Sequence, residues 1–411
     1  MTDTPQASSS PDHRSERHVV AFLAFIGILL ALGIDIALPA FDEMRPDYGL
    51  AADDNQITLV ISLYLLGMGL GQLIWGPLSD RFGRIRTLNV GIALYVVAAV
   101  AASLSPNLGM LFASRLLWGV GAAAPAGLRL AIARDLFAGD RMARIMSTVA
   151  AIFMVGPILA PLVGEIILAF APWPWVFGFC AIAGVVAIAW ASKFGETLDP
   201  ATVQPLTFSK TANAFKRVLS TRTTMGYTIA LALAYGSFYV FLGSTQPIMD
   251  NIYGRADQFA ISFALIGILM GAAFLSVNRL IDVFGAQRVA TSGMIVFVVL
   301  AIINLGLVLQ ANGRPSFWLW IFFIVSMNLA SAPLGPIGFT LGLEPMGDLA
   351  GTASAVMTFL AIAGGSALSA VINALIKGSV TPMAIGYLLF GALSLLALFW
   401  AERQSPERLA T

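Results

Sequence analysis

Apolar runs of about 20 residues alternate with short polar breaks from one end of this chain to the other. Twelve such runs cover 18–40, 56–76, 87–105, 109–135, 145–170, 174–192, 225–248, 257–279, 289–310, 317–343, 351–376 and 381–401. About 20 apolar residues wound as an α-helix span a bilayer core of about 30 Å. None of the runs alternates polar and apolar positions as a membrane barrel strand does. The pattern predicts an all-α integral membrane protein with twelve transmembrane helices. The one long polar interruption, 193–224, divides them into a six-helix bundle over 18–192 and another over 225–401, with tails at 1–17 and 402–411. The first tail is rich in Ser and Pro and is expected to be disordered. The run that follows it is too long for a signal-peptide core and lacks a small-residue cleavage site.

The break after the second run reads Gly76-Pro77-Leu78-Ser79-Asp80-Arg81-Phe82-Gly83-Arg84-Ile85-Arg86. Leu78, Asp80, Phe82, Gly83 and Arg86 recur 202 positions later as Leu280, Asp282, Phe284, Gly285 and Arg288. A charged loop repeated in register predicts two pseudo-symmetric halves. Halves of this kind place a substrate site near the midplane and rock against each other.

Composition agrees: 58% of the 411 residues are apolar, 11% are charged, and the mean hydropathy is +0.85. A soluble domain carries about 25% charged residues. Basic residues gather on the cytoplasmic side of membrane proteins, which here puts both termini and the linker in the cytoplasm. Arg45, Arg255, Arg314 and Lys377 then fall outside and Arg115 and Arg129 within a span, with the rest of the 23 basic residues inside. The single cysteine, Cys180, excludes an internal disulfide and a cysteine metal cluster. Both histidines, His13 and His18, lie at or before the first span, so none sits in the membrane to relay protons or hold zinc. No phosphate-binding Gly-x4-Gly-Lys-Ser/Thr loop is present. No cofactor, no metal, no enzymatic constellation and no nucleic-acid partner is expected, and the net charge of +1 says nothing about partners.

Asp80 begins a tight turn in which Gly83 supplies backbone freedom, and an acid there can face the positive end of a helix. The loop resembles the Gly-x-Leu-x-Asp-Arg-x-Gly-Arg signature between helices two and three of the major facilitator superfamily. That resemblance implies a cytoplasmic latch made of Gly76, Asp80, Arg81, Gly83 and Arg84. In it Asp80 meets the start of helix eleven and Arg84 pairs with Asp135. Ile85 departs from the pattern, since the family usually has a basic residue there.

Three further stretches narrow the resemblance. Arg115-Leu116-Leu117-Trp118-Gly119-Val120-Gly121-Ala122-Ala123 is similar to the family's helix-four motif, with Trp118 in place of the common Gln. A cation at mid-span costs about 2.5–3.5 kcal/mol on insertion scales and is functional by default. Gly156-x3-Ala160-Pro161-x2-Gly164-Glu165 resembles the antiporter motif of helix five, with Ala160 and Glu165 in place of two glycines. Asp35-Ile36-Ala37-Leu38-Pro39-Ala40 resembles the first helix of the twelve-helix drug–proton antiporters of the bicyclomycin and chloramphenicol resistance type.

Asp35, Arg115 and Glu165 each lie five to seven residues from the outer ends of their runs, roughly 8–10 Å deep at 1.5 Å per residue. They are expected to share one polar layer, with Asp35 as proton carrier, Arg115 tuning it, and Glu165 either auxiliary or pointing to the outer interface. Tyr64, Tyr235, Phe238, Tyr239, Gln246 and Asn328 are candidates for cavity walls, which need apolar faces with few polar points. The resemblance implies a monomeric exporter of small, moderately apolar drugs or metabolites, in the bacterial inner membrane, driven by protons. Proton-coupled metabolite uptake on the same fold and a non-transporting membrane sensor are the alternatives.

Overall fold

The computed structural model describes residues 15–51, 54–137, 139–199, 203 and 208–403. The rest of the two tails and the middle of the linker lie outside the described residues. The first half comprises α1 (Glu16–Asp35), α2 (Phe41–Asp47), α3 (Leu59–Phe82), α4 (Arg84–Ser103), α5 (Leu108–Leu136), α6 (Gly139–Leu168) and α7 (Pro174–Phe194). α8 (Phe208–Ser220) occupies the linker. The second half comprises α9 (Arg222–Asn251), α10 (Phe259–Phe284), α11 (Ala286–Gln310), α12 (Phe317–Ser331), α13 (Leu334–Leu343), α14 (Ala350–Leu375) and α15 (Thr381–Glu402). Eleven described spans are long and apolar enough to cross a membrane, with α12 and α13 sharing one; α6 adds the shorter apolar stretch Val155–Leu168. Two six-helix bundles result, and they pack together along α3 with α14 and α6 with α10.

Two helices depart from the continuous spans that their hydropathy predicts. The run 18–40 is not one helix: α1 ends at Asp35, and a 3-10 turn over Leu38–Ala40 leads into α2. Pro39 has no N–H to give the carbonyl of Asp35 four residues earlier, and its ring crowds that carbonyl. The run 317–343 breaks likewise at Ala332–Pro333, where Pro333 and Pro336 withhold donors from Leu329 and Ala332.

The repeated loop keeps one backbone form in both halves. Gly83 (φ +101°) ends α3 and begins α4, and Gly285 (φ +80°) does the same between α10 and α11. Only glycine takes such angles without strain. Within the linker, residues 208–220 fold as α8 and pack against the second half. Along α8 Ala214 and Val218 are fully buried, Phe215 meets the ring of Phe359 at 5.9 Å, and Arg217 donates to the carbonyl of Pro345 at 3.4 Å.

Candidate transport site

Charged groups collect at the end of the bundle that carries the Gly76–Arg86 loop. Arg84, buried at the start of α4, donates through Nε to Asp135 at 2.9 Å and through Nη1 to Asp80 and to Ser79 Oγ. Asp80 in turn lines a small cavity of about 80 Å³ with Gly351, Thr352 and Ala355, at the N-terminus of α14 in the other half. Arg81 is exposed and forms no ion pair among the described residues. Gly76 has open space where a Cβ would stand.

Glu196, just beyond α7, completes this end and was not singled out by sequence reasoning. Its carboxylate accepts from the backbone N–H groups of Arg84 at 2.7 Å, Ile85 at 3.2 Å, Thr197 at 3.0 Å and Leu198 at 3.1 Å. Burial pushes the Glu196 carboxyl up, but the donors of Leu198, Thr197, Arg84 and Ile85 outweigh it and hold it below its ordinary value. A Cβ on residue 83 would collide with this carboxylate, a second reason for glycine there. The available signal was an acid following the sixth span on the basic side of the protein.

Near the opposite end, Arg115 is completely buried on α5. Its Nε donates to the carbonyl of Val60 and its Nη2 to that of Gly33, both at 2.8 Å. The guanidinium also lies 4.7 Å from the ring centroids of Tyr64 and Trp118, and 5.5 Å from that of Phe177. Arg115 thus pins the last turn of α1 to α3 through main-chain oxygens. It makes no ion pair with Asp35 or Glu165.

Asp35 sits at the C-terminal end of α1 with 2% of its surface exposed, and its Oδ1 has no hydrogen-bond partner among the described residues. The tyrosine hydroxyl of Tyr64 is likewise buried and unpartnered. The antiporter-like motif seats α6 directly on this broken segment. Gly156 lies over Ala31, and a Cβ at Gly164 would collide with the carbonyl oxygen of Ile36. Pro161 stays within a continuous α6. Glu165, half-buried beside Gly164, points its carboxylate at the backbone N–H of Ala260, across in the second half.

The candidate wall residues make separate contacts. Tyr235, Phe238 and Tyr239 form a ring strip along α9, with centroid separations of 5.9 and 6.1 Å. Tyr64 covers Arg115, and Gln246 donates to Asp42 at 2.7 Å. Asn328 donates to the carbonyl of Ile324 at 2.9 Å and to Tyr387 Oη at 3.1 Å, beside the break between α12 and α13.

The sequence matches the Major Facilitator Superfamily over residues 23–370. It is 31% identical over 366 residues to an uncharacterised MFS-type transporter of Bacillus subtilis, YdgK, covering 87% of this chain and 89% of that one. It is 28% identical over 377 residues to the bicyclomycin resistance protein homolog of Haemophilus influenzae, covering 90% and 92%. The backbone follows that of a D-xylose–proton symporter with a TM-score of 0.76 at 16% identity, over 96% and 99% of the two chains. At that identity the likeness speaks for the fold alone. With eleven membrane-length apolar spans among the described residues, a repeated loop turn and a match across most of its length, this multi-pass membrane chain belongs to the Major Facilitator Superfamily.

Proposed function

We propose that this protein exports small, moderately apolar compounds in exchange for protons, its two halves alternating between inward-open and outward-open states. The observation that carries the reading is Asp35: a buried carboxyl at the break of α1, with one oxygen lacking any hydrogen-bond partner and no cation paired to it. An ionised carboxylate left bare in an apolar interior is very unfavourable, so in this conformer Asp35 holds a proton. Opening the site to water or to a cationic group of the cargo would release it. Arg115 works on Asp35 as a positioning residue, through the carbonyl of Gly33, and Glu165 is auxiliary.

Export is favoured by the relative named for bicyclomycin resistance and by α6 packing its Gly164 against the turn that follows Asp35. The charged end, with Arg84, Asp80, Asp135 and Glu196, is the cytoplasmic latch in this reading. Both termini then lie in the cytoplasm, in a bacterial inner membrane, and the protein acts as a monomer. Tyr235 and Phe238, partly buried on α9, are the aromatic wall that meets cargo. The test is efflux of a fluorescent lipophilic dye from energised, pump-deficient cells. The wild type should clear dye in a protonophore-sensitive manner, and Asp35→Asn, made in equal amount, should not. Clearance by Asp35→Asn at the wild-type rate would refute the assignment.

A further inference from the structure

The end of the molecule opposite the charged loop holds a second group of polar residues that neither the motifs nor the proposed proton carrier uses. Asp42 and Arg45 lie on α2 in the first half, and Gln246 and Asp250 lie one turn apart on α9 in the second, so they share a face of that helix. Gln246 Nε2 donates to Asp42 Oδ2 at 2.7 Å, across the boundary between the halves. Arg45 Nη1 donates to the other oxygen of Asp42, and Arg45 Nε donates to the carbonyl of Asp54 at 3.3 Å. The carboxyl of Asp250 faces that of Asp42 closely enough for the two to interact, and Arg45 acts on it too. Two side chains aimed into this group are buried to 2% exposure and keep an unused polar atom: Nη2 of Arg45 and Oε1 of Gln246. The Asp42 side chain is 40% exposed, so the group is open to water from its own side.

We propose that Asp42 and Asp250 form a proton-binding site that exists only while this end of the transporter is closed. Two carboxyls can share a hydrogen bond only if one of them carries a proton, and two ionised carboxylates at that distance repel. The charged groups acting on Asp250 are Asp42 and Arg45. One cation against two carboxylates leaves a net negative charge unless a proton is added. When the halves part, Asp250 leaves Asp42, both acids meet water, and the shared proton is lost. Closure at this end therefore takes up a proton from the medium it faces, which in the export reading is the external one. Acid outside would favour the closed end and return an emptied transporter toward the cell interior.

This rests on the alternating motion of the proposed function, but not on Asp35 as proton carrier. The experiment is accordingly run in full-length protein carrying Asp35→Asn and Cys180→Ala, reconstituted in lipid nanodiscs. Spin labels at Ala51→Cys and Ser316→Cys, both exposed positions at this end, report the distance between halves by pulsed electron resonance. Lowering pH from about 8 to about 5 should shift the population toward the shorter distance, by at most tenfold in the closed-to-open ratio per pH unit for one proton. Asp250→Asn, whose amide can donate to Asp42 without titrating, should hold the short distance at every pH, and Asp250→Glu should restore a response. A distance distribution indifferent to pH overturns the proposal, and so does a response of unchanged size in Asp250→Asn. Failure of the export reading shows separately, as absent dye efflux in the wild type.

Discussion

Arg84, Asp80 and Asp135 are ordinary charged residues until Glu196 is added to them. Four backbone N–H groups converge on that carboxylate, two of them from the first turn of α4. The free N–H groups of a helix start are satisfied in this way, and losing such a cap costs about 0.5–2 kcal/mol. Because those donors hold the Glu196 carboxyl below its ordinary value, its contribution is fully present above the unfolded carboxylate range, about pH 4.3. It fades as pH falls through the lower folded value. Glu196→Gln should lower the thermal midpoint in detergent at neutral pH and flatten the acid side of the stability profile. An unaltered acid limb in that variant would show that the cap contributes nothing. Asp35 and Arg115 were legible in the sequence because charge is scarce inside apolar runs, and Asp80 because its loop recurs 202 positions later. Glu196 was not, because its partner stands 112 positions away and nothing local marks the pairing.

At the scale of elements, the twelve apolar runs were readable because each must be long and apolar enough to cross a bilayer. What they did not reveal was where a helix stops being a helix. A proline acts on the carbonyl four residues before it, so Pro39 ends α1 at Asp35, and hydropathy, which stays high through the break, does not register it. The order of α8 was hidden for the opposite reason. Its polar composition masks a narrow apolar stripe, Ala214 and Val218, which is buried. The contact between α6 and the broken end of α1 yields a prediction. Gly164→Val places methyl groups where the carbonyl oxygen of Ile36 already lies. The variant should still insert and fold, with efflux reduced at least tenfold, because α6 must move off the Asp35 turn. Gly164→Ala should be intermediate. Equal efflux by all three proteins, assayed at matched expression, would remove the antiporter-like motif from the mechanism.

Across the whole molecule, the repeat predicted by the two loops is present in backbone form and absent in chemistry. Gly83 and Gly285 make the same turn, yet a Cβ at 83 would strike Glu196 while one at 285 would meet nothing within 4 Å. Neither Asp282 nor Arg288 forms an ion pair among the described residues. Asp80→Asn should therefore impair transport severely, and Asp282→Asn should leave it within about twofold of wild type; comparable losses in the two would contradict this asymmetry. Polar contacts between the halves are found at the far end, where Gln246 meets Asp42 and Asn55 meets the carbonyl of Ile376, and deeper in, where Ser366 meets that of Ser62. These pairings lie 204, 321 and 304 positions apart, so they became visible only once both bundles were in place. The central claim, that one carboxyl at the break of α1 exchanges its proton for cargo, is tested most directly in proteoliposomes loaded with purified protein. Lipophilic dye uptake should follow an imposed pH gradient in the wild type, collapse when the gradient is dissipated, and be absent in Asp35→Asn. Uptake that is the same with and without the gradient, or that survives Asp35→Asn unchanged, would contradict the account.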